Sequence, residues 1–121
     1  MKNYSKISLA LFLALAMIFV TFKANAQDSK PEKTEVAKIM TSAVCDMCKS
    51  RIEKVLKKDE GVVEGNLDVK TKIATVKFNP LKTNISKLRT LISKAGYDAD
   101  SIPADTRAYN KLPDCCKKDA K

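Results

Sequence analysis

The chain has 121 residues, with 23 Lys and Arg against 14 Asp and Glu, a formal net charge of +9, and neither His nor Trp. The missing histidine excludes His-containing zinc sites, a His general base, and Ser-His-Asp or Cys-His catalysis in their usual forms. The charge does not argue for nucleic acid, because the lysines interleave with Asp and Glu and no aromatic cluster alternates with them as a base-stacking platform requires.

In chain order, Lys2 and Lys6 make a positive start, Ile7 to Phe22 is almost entirely apolar, and Ala24-Asn25-Ala26 is a small-x-small site before Gln27. This pattern predicts a signal peptide over residues 1–26, cleaved after Ala26, and export to a periplasm or beyond. The alternative is a membrane anchor, which the apolar run could only just supply, so no stable membrane insertion is expected after cleavage. No Cys stands at the cleavage point, so a lipoprotein signal is not indicated. Loss of Lys2, Lys6 and Lys23 takes the charge from +9 to +6. The rest is a solvated basic surface that can steer the protein toward an acidic partner or membrane surface.

Residues 27–35 are polar, contain Pro31, and read as a flexible lead-in. Val36 to Thr41 is a short strand candidate whose alternation is not clean, so either face could be the buried one. A helix is predicted from about Met47 to Lys58. Cys48, Ile52, Val55 and Leu56 share one face, Lys49, Arg51, Glu53, Lys54, Lys57 and Lys58 fill the other, and Gly61 supplies the stop. Val63, Gly65, Leu67 and Val69 alternate with polar residues to give a half-buried strand. Lys70-Thr71-Lys72 is the turn, and Ala74, Val76 and Phe78 face inward on the returning strand. Asn84 or Thr83 can cap a second helix with apolar positions Ile85, Leu88, Leu91, Ile92 and Ala95, up to Gly96. Tyr97 to Ile102 is a weak last strand, ended by Pro103. Strand, helix, strand, strand, helix, strand predicts an α+β, ferredoxin-like βαββαβ sandwich. Both helices lie on one face of an antiparallel sheet, with each crossover joining parallel neighbours.

Four cysteines fall in two pairs, Cys45/Cys48 and Cys115/Cys116. A bridge within either pair would close almost no loop and would constrain the unfolded chain very little, so stapling is a poor reason for the spacing. Cys45-Asp46-Met47-Cys48 places two sulfurs on a loop entering a helix, whose free N–H groups and positive dipole end favour thiolate. Two thiolates suit a soft d¹⁰ ion in low coordination; zinc asks for four ligands and hard ions ask for oxygen. Low coordination also leaves room for an incoming thiolate and so for handing the ion on. Two other classes use such a pair. A thioredoxin-like thiol oxidoreductase would need more parallel strands than the single short one before Cys45. A structural four-cysteine zinc or disulfide module would need Cys115 and Cys116 to fold back onto the loop.

From Val36 to about Ile102 the chain resembles the heavy-metal-associated domain family. The resemblance rests on CxxC at the first strand-to-helix loop, the Leu67-to-Phe78 hairpin, and Ala95-Gly96-Tyr97-Asp98-Ala99 after the second helix. It implies a domain over residues 36–103 that is a metal-binding carrier or scavenger and not an enzyme. It also implies Cys45 and Cys48 as ligands to Cu(I), with Hg(II) the alternative, a metal-transporting ATPase or other membrane transporter as partner, and a monomeric state. Where the family carries Gly-Met-Thr before the first Cys, this chain has Ser42-Ala43-Val44. Met47 is then either a substitute packing group or a nearby thioether. Tyr97 falls where bacterial members often carry a Tyr near the metal loop; its plain role is a core aromatic with its hydroxyl at the surface. Residues 104–121 form a basic tail with little periodicity. Its vicinal Cys115/Cys116 read as a second, weaker soft-metal site able to approach Cys45/Cys48, as a strained, easily reduced disulfide, or as part of a free arm.

Overall fold

The computed structural model describes residues 32–118; the signal-peptide reading lies outside them. Three strands, β1 (Glu35–Met40), β2 (Val62–Asp68) and β3 (Ile73–Phe78), form one sheet in the order β1-β3-β2. Both outer strands run antiparallel to β3. β1 and β2 are therefore parallel to each other but separated by β3, which corrects the expectation that the first crossover joins neighbours. Two helices, α1 (Asp46–Lys57) and α2 (Ile85–Lys94), complete a ferredoxin-like arrangement.

One core lies between the helices and the inner sheet face. Cys48, Ile52 and Leu56 of α1 and Leu88 and Ile92 of α2 meet Ala37, Ile39, Leu67, Ala74, Val76 and Phe78. Ile52, Leu56, Leu88 and Ile92 are fully buried, each worth about 1.5–3 kcal/mol of apolar burial. β1 turns Ala37 and Ile39 inward and leaves Val36 and Met40 exposed, which settles the face its sequence left open. Asn84 caps α2 by accepting the Lys87 N–H at 2.8 Å, while Thr83 is buried and donates to Asp59 Oδ2 at 3.2 Å.

Two expectations change. Val63 is exposed because β2 shifts register between Val62 and Glu64, and the inward alternation begins only at Gly65. The last strand shrinks to isolated bridges, Thr41 with Ala99 and Ala99 with Ile102. Ala99 and Ile102 exchange two backbone hydrogen bonds at 2.9 Å across a turn in which Asp100 takes φ 51°. The chain thus folds on itself instead of running along β1. The Asp100 carboxylate replaces a strand carbonyl, accepting the Met40 N–H at 2.8 Å, while the Asp100 N–H donates to the Met40 carbonyl at 2.8 Å.

After Pro103 the chain forms a short helix, α3 (Thr106–Asn110), and a 3₁₀ turn at Asp114–Cys116. Asp105 caps α3 by accepting from the Ala108 N–H at 2.9 Å. Leu112 and Cys116 are buried in the main core, so the tail is packed against the domain. Among the described residues no helix is long and apolar enough to cross a membrane.

Candidate metal centre

Cys45 is the last extended residue before α1, with φ −151° and ψ 170°, and its carbonyl accepts the Lys49 N–H at 3.1 Å. Cys48 falls one turn in, on the stripe of Ile52 and Leu56, and is fully buried. The loop ahead is tied down twice at its start. Thr41 Oγ1 donates to the Lys72 carbonyl at 2.9 Å, and Ser42 Oγ accepts the Asp98 N–H at 2.9 Å. The second tie fixes the loop to the segment leaving α2, where Tyr97 sits.

The two sulfurs of the motif lie 3.1 Å apart. A third joins them, for Cys116 Sγ is 3.6 Å from Cys45 Sγ. Cys115 is exposed; its sulfur is 4.0 Å from that of Cys116 and 3.9 Å from Met47 Sδ. The Cys45, Cys115 and Cys116 sulfurs all fall within 4.8 Å of one another, and all four cysteines are free thiols. A cluster of soft donors with no carboxylate or imidazole among them fits a soft, thiophilic ion.

Burial pushes the Cys45 thiol up, but hydrogen bonds from the Cys48 thiol and N–H, the Cys116 thiol and the Met47 N–H outweigh it and bring the group to about 7. A large fraction is therefore thiolate near neutral pH, the form that binds metal. Cys116 goes the other way. Burial above all, and then the neighbouring Cys48 and Cys45 sulfurs, push it up to about 12 although Tyr97 opposes them. Between Cys45 and Cys116, the negative charge therefore falls first on Cys45.

Tyr97 is fully buried and its hydroxyl has no hydrogen-bond partner among the described residues, which corrects the expectation of a surface hydroxyl. Burial, with the Cys116 and Cys48 thiols beside it, holds the phenol well above its ordinary value. Its hydroxyl lies beside the Cys116 and Cys48 sulfurs. Met47 is half exposed, so it is not core packing. Ala43, in the place of the family's Met, is fully buried.

Cys116 is the member that local sequence reading could not place beside the loop. Several contacts hold it there. Cys116 N–H donates to the Pro113 carbonyl at 2.8 Å, and Lys118 N–H donates to the Tyr109 hydroxyl at 3.1 Å. Lys118 also pairs with Asp98. Burial disfavours the Asp98 charge, but the Lys118 ammonium and the Ala104 N–H outweigh that and hold its carboxyl below the usual range. The Asp-Cys-Cys-Lys run carries no periodicity that would have signalled this return.

The heavy-metal-associated domain model matches residues 38–98. The chain belongs to that family, and the match runs from Lys38 within β1 to Asp98 but stops short of Cys115 and Cys116. Among relatives, the copper-exporting P-type ATPase of Staphylococcus aureus (strain Newman) is 45% identical over 60 residues, which are 50% of this chain and 8% of the ATPase. Among solved structures, the N-terminal domain of a potential copper-translocating P-type ATPase from Bacillus subtilis, in its Cu(I)-loaded state, is 32% identical with a TM-score of 0.53. That likeness covers 60% of this chain and 100% of the domain. Oxidized MerP from Ralstonia metallidurans is 28% identical with a TM-score of 0.54, over 56% of this chain and 96% of MerP.

Proposed function

We propose that the protein is an exported carrier of a soft metal ion, Cu(I) first and Hg(II) as the alternative, taken up on Cys45 and Cys48. The observation that carries the reading is the 3.1 Å Cys45–Cys48 sulfur pair at the start of α1, with Cys45 brought down to about 7. The copper named for the Staphylococcus aureus ATPase and the Cu(I)-loaded Bacillus subtilis domain support the choice of ion. The apolar start of the chain supports export, and the ATPase relatives support a metal-transporting ATPase or similar transporter as partner to a monomeric carrier.

The two sulfurs differ in access, and that difference gives transfer an order. Cys45 is partly exposed whereas Cys48 is buried. An incoming partner thiolate reaches the ion from the Cys45 side, makes a three-coordinate intermediate, and Cys45 leaves before Cys48. No bond to carbon, oxygen or nitrogen is made or broken, and no enzyme activity is assigned.

A structural four-cysteine zinc module is the second reading, favoured by the return of Cys116 to 3.6 Å from Cys45. Against it, Cys115 is exposed on the rim, and the core is built mainly of aliphatic side chains. Anaerobic purification of residues 27–121 followed by metal analysis separates the two. One copper-class ion per chain, with the fold kept after its removal, is expected. Tightly bound zinc whose removal unfolds the protein would select the structural module.

A further inference from the structure

The segment beyond the family match ends by returning a buried thiol to the metal loop, and nothing in the two-cysteine reading uses it. We propose that Cys116 is a third ligand to the ion on Cys45 and Cys48, making the C-terminal segment a built-in clasp that retains the cargo. This rests on the reading of Cys45 and Cys48 as the metal pair.

Spacing is the first argument. Sulfurs around a three-coordinate ion, at metal–sulfur lengths of about 2.3 Å, stand about 4.0 Å apart. Cys116 Sγ is already 3.6 Å from Cys45 Sγ. The Cys45–Cys48 separation of 3.1 Å must open by about 0.9 Å to reach that spacing, which a loop residue at a helix start can supply.

Burial is the second argument, and it chooses between the vicinal thiols. Cys116 is 1% exposed and faces the site, bordered by Cys48 and Tyr97. Cys115 is exposed and lies against Met47 on the rim. A buried cysteine is often a small core hydrophobe, but this one has two other sulfurs as close neighbours.

Pre-organisation is the third. Leu112 is buried in the core, Lys118 is tied to Asp98 and Tyr109, and α3 rests its backbone on Gly96. The ordering cost of a third ligand has therefore been met in folding, so its metal bond adds to retention almost in full. On coordination the Cys116 S–H proton leaves to solvent and a metal–sulfur bond replaces it; no oxidation state changes. Transfer out then requires the partner to displace Cys116 as well as Cys45.

The test loads residues 27–121 anaerobically with one equivalent of Cu(I). X-ray absorption should count three sulfurs in the parent and two in Cys116→Ala. Loss of Cu(I) to bicinchoninate should be at least about tenfold faster in the variant. Leu112→Ala keeps every sulfur but loosens the segment, and it should lie between the two; Cys115→Ser should match the parent. Equal sulfur counts and equal loss rates for the parent and both Cys116→Ala and Leu112→Ala would overturn the clasp. So would a drop in count for Cys115→Ser alone. If Cys45→Ser/Cys48→Ala still binds like the parent, the underlying metal pair fails instead.

Discussion

Gly96 is a close backbone contact between the domain and its C-terminal segment, and replacing it with Ala tests how firmly that segment is seated. The residue closes α2 at φ 101°, in the left-handed half of conformational space. An L side chain there costs about 1–2 kcal/mol. The added Cβ would also meet the Ala108 carbonyl carbon and the Tyr109 nitrogen at 3.0 Å, and the Ala108 oxygen at 3.1 Å. These are backbone atoms of α3, which cannot rotate aside as a side chain can, so relief requires moving the helix at a cost of about 1–3 kcal/mol. Together the two effects predict a loss of about 2–5 kcal/mol for Gly96→Ala. Urea unfolding followed by far-ultraviolet circular dichroism measures it as a lower midpoint at an unchanged slope. Gly65→Ala is the control, since its new Cβ would sit 3.4–3.5 Å from Leu56 in ordinary contact and its φ is not positive. A Gly96→Ala loss below about 1 kcal/mol, or one equal to the control's, would refute the seating of α3 on Gly96.

Asp59 is a buried carboxylate that accepts from the Gly61 N–H at 2.8 Å and from Thr83 Oγ1 at 3.2 Å, and pairs with Lys87 at 3.0 Å. Asp59→Ala should cost about 2–4 kcal/mol in the same urea assay, because two buried donors lose their acceptor. Burial raises the Asp59 pKa, but the Gly61, Lys87 and Thr83 partners outweigh it and leave the group below its ordinary value. Its contribution is therefore full above the unfolded carboxylate pKa and disappears as pH falls through the lower folded one. An acid titration of stability should lose that component in Asp59→Asn; superimposable profiles would count against it. Cys45, brought down to about 7, should be alkylated by iodoacetamide with a midpoint near that pH when peptides are quantified by mass spectrometry. A midpoint at the ordinary thiol value of about 8.5 would contradict the hydrogen-bond account.

Much of the domain was legible because its signals are local. The α1 stripe, the inward Ala74, Val76 and Phe78, the Asn84 cap and the CxxC loop each announce themselves within a few residues, and the structure places them accordingly. What was missed depends on partners far away in the chain. The shift that exposes Val63 is a matter of register against β3, and the collapse of the last strand depends on Asp100 reaching Met40. The tail was unreadable because α3 spans only Thr106–Asn110, too short for a periodic stripe, and because Leu112 and Cys116 are isolated anchors. Tyr97 misled for a related reason. A core tyrosine usually keeps its hydroxyl wet or paired, and this one is enclosed beside thiols from two ends of the domain.

The central claim is that Cys45 and Cys48 hold a soft ion, and an anaerobic Cu(I) competition titration against bicinchoninate tests it most directly. Residues 27–121 should bind one equivalent and outcompete the chelator. Cys45→Ser/Cys48→Ala, with Ala in the buried position to spare the core, should keep its circular dichroism spectrum and lose that competition. A folded double variant that still withholds one equivalent of Cu(I) from the chelator would contradict the account.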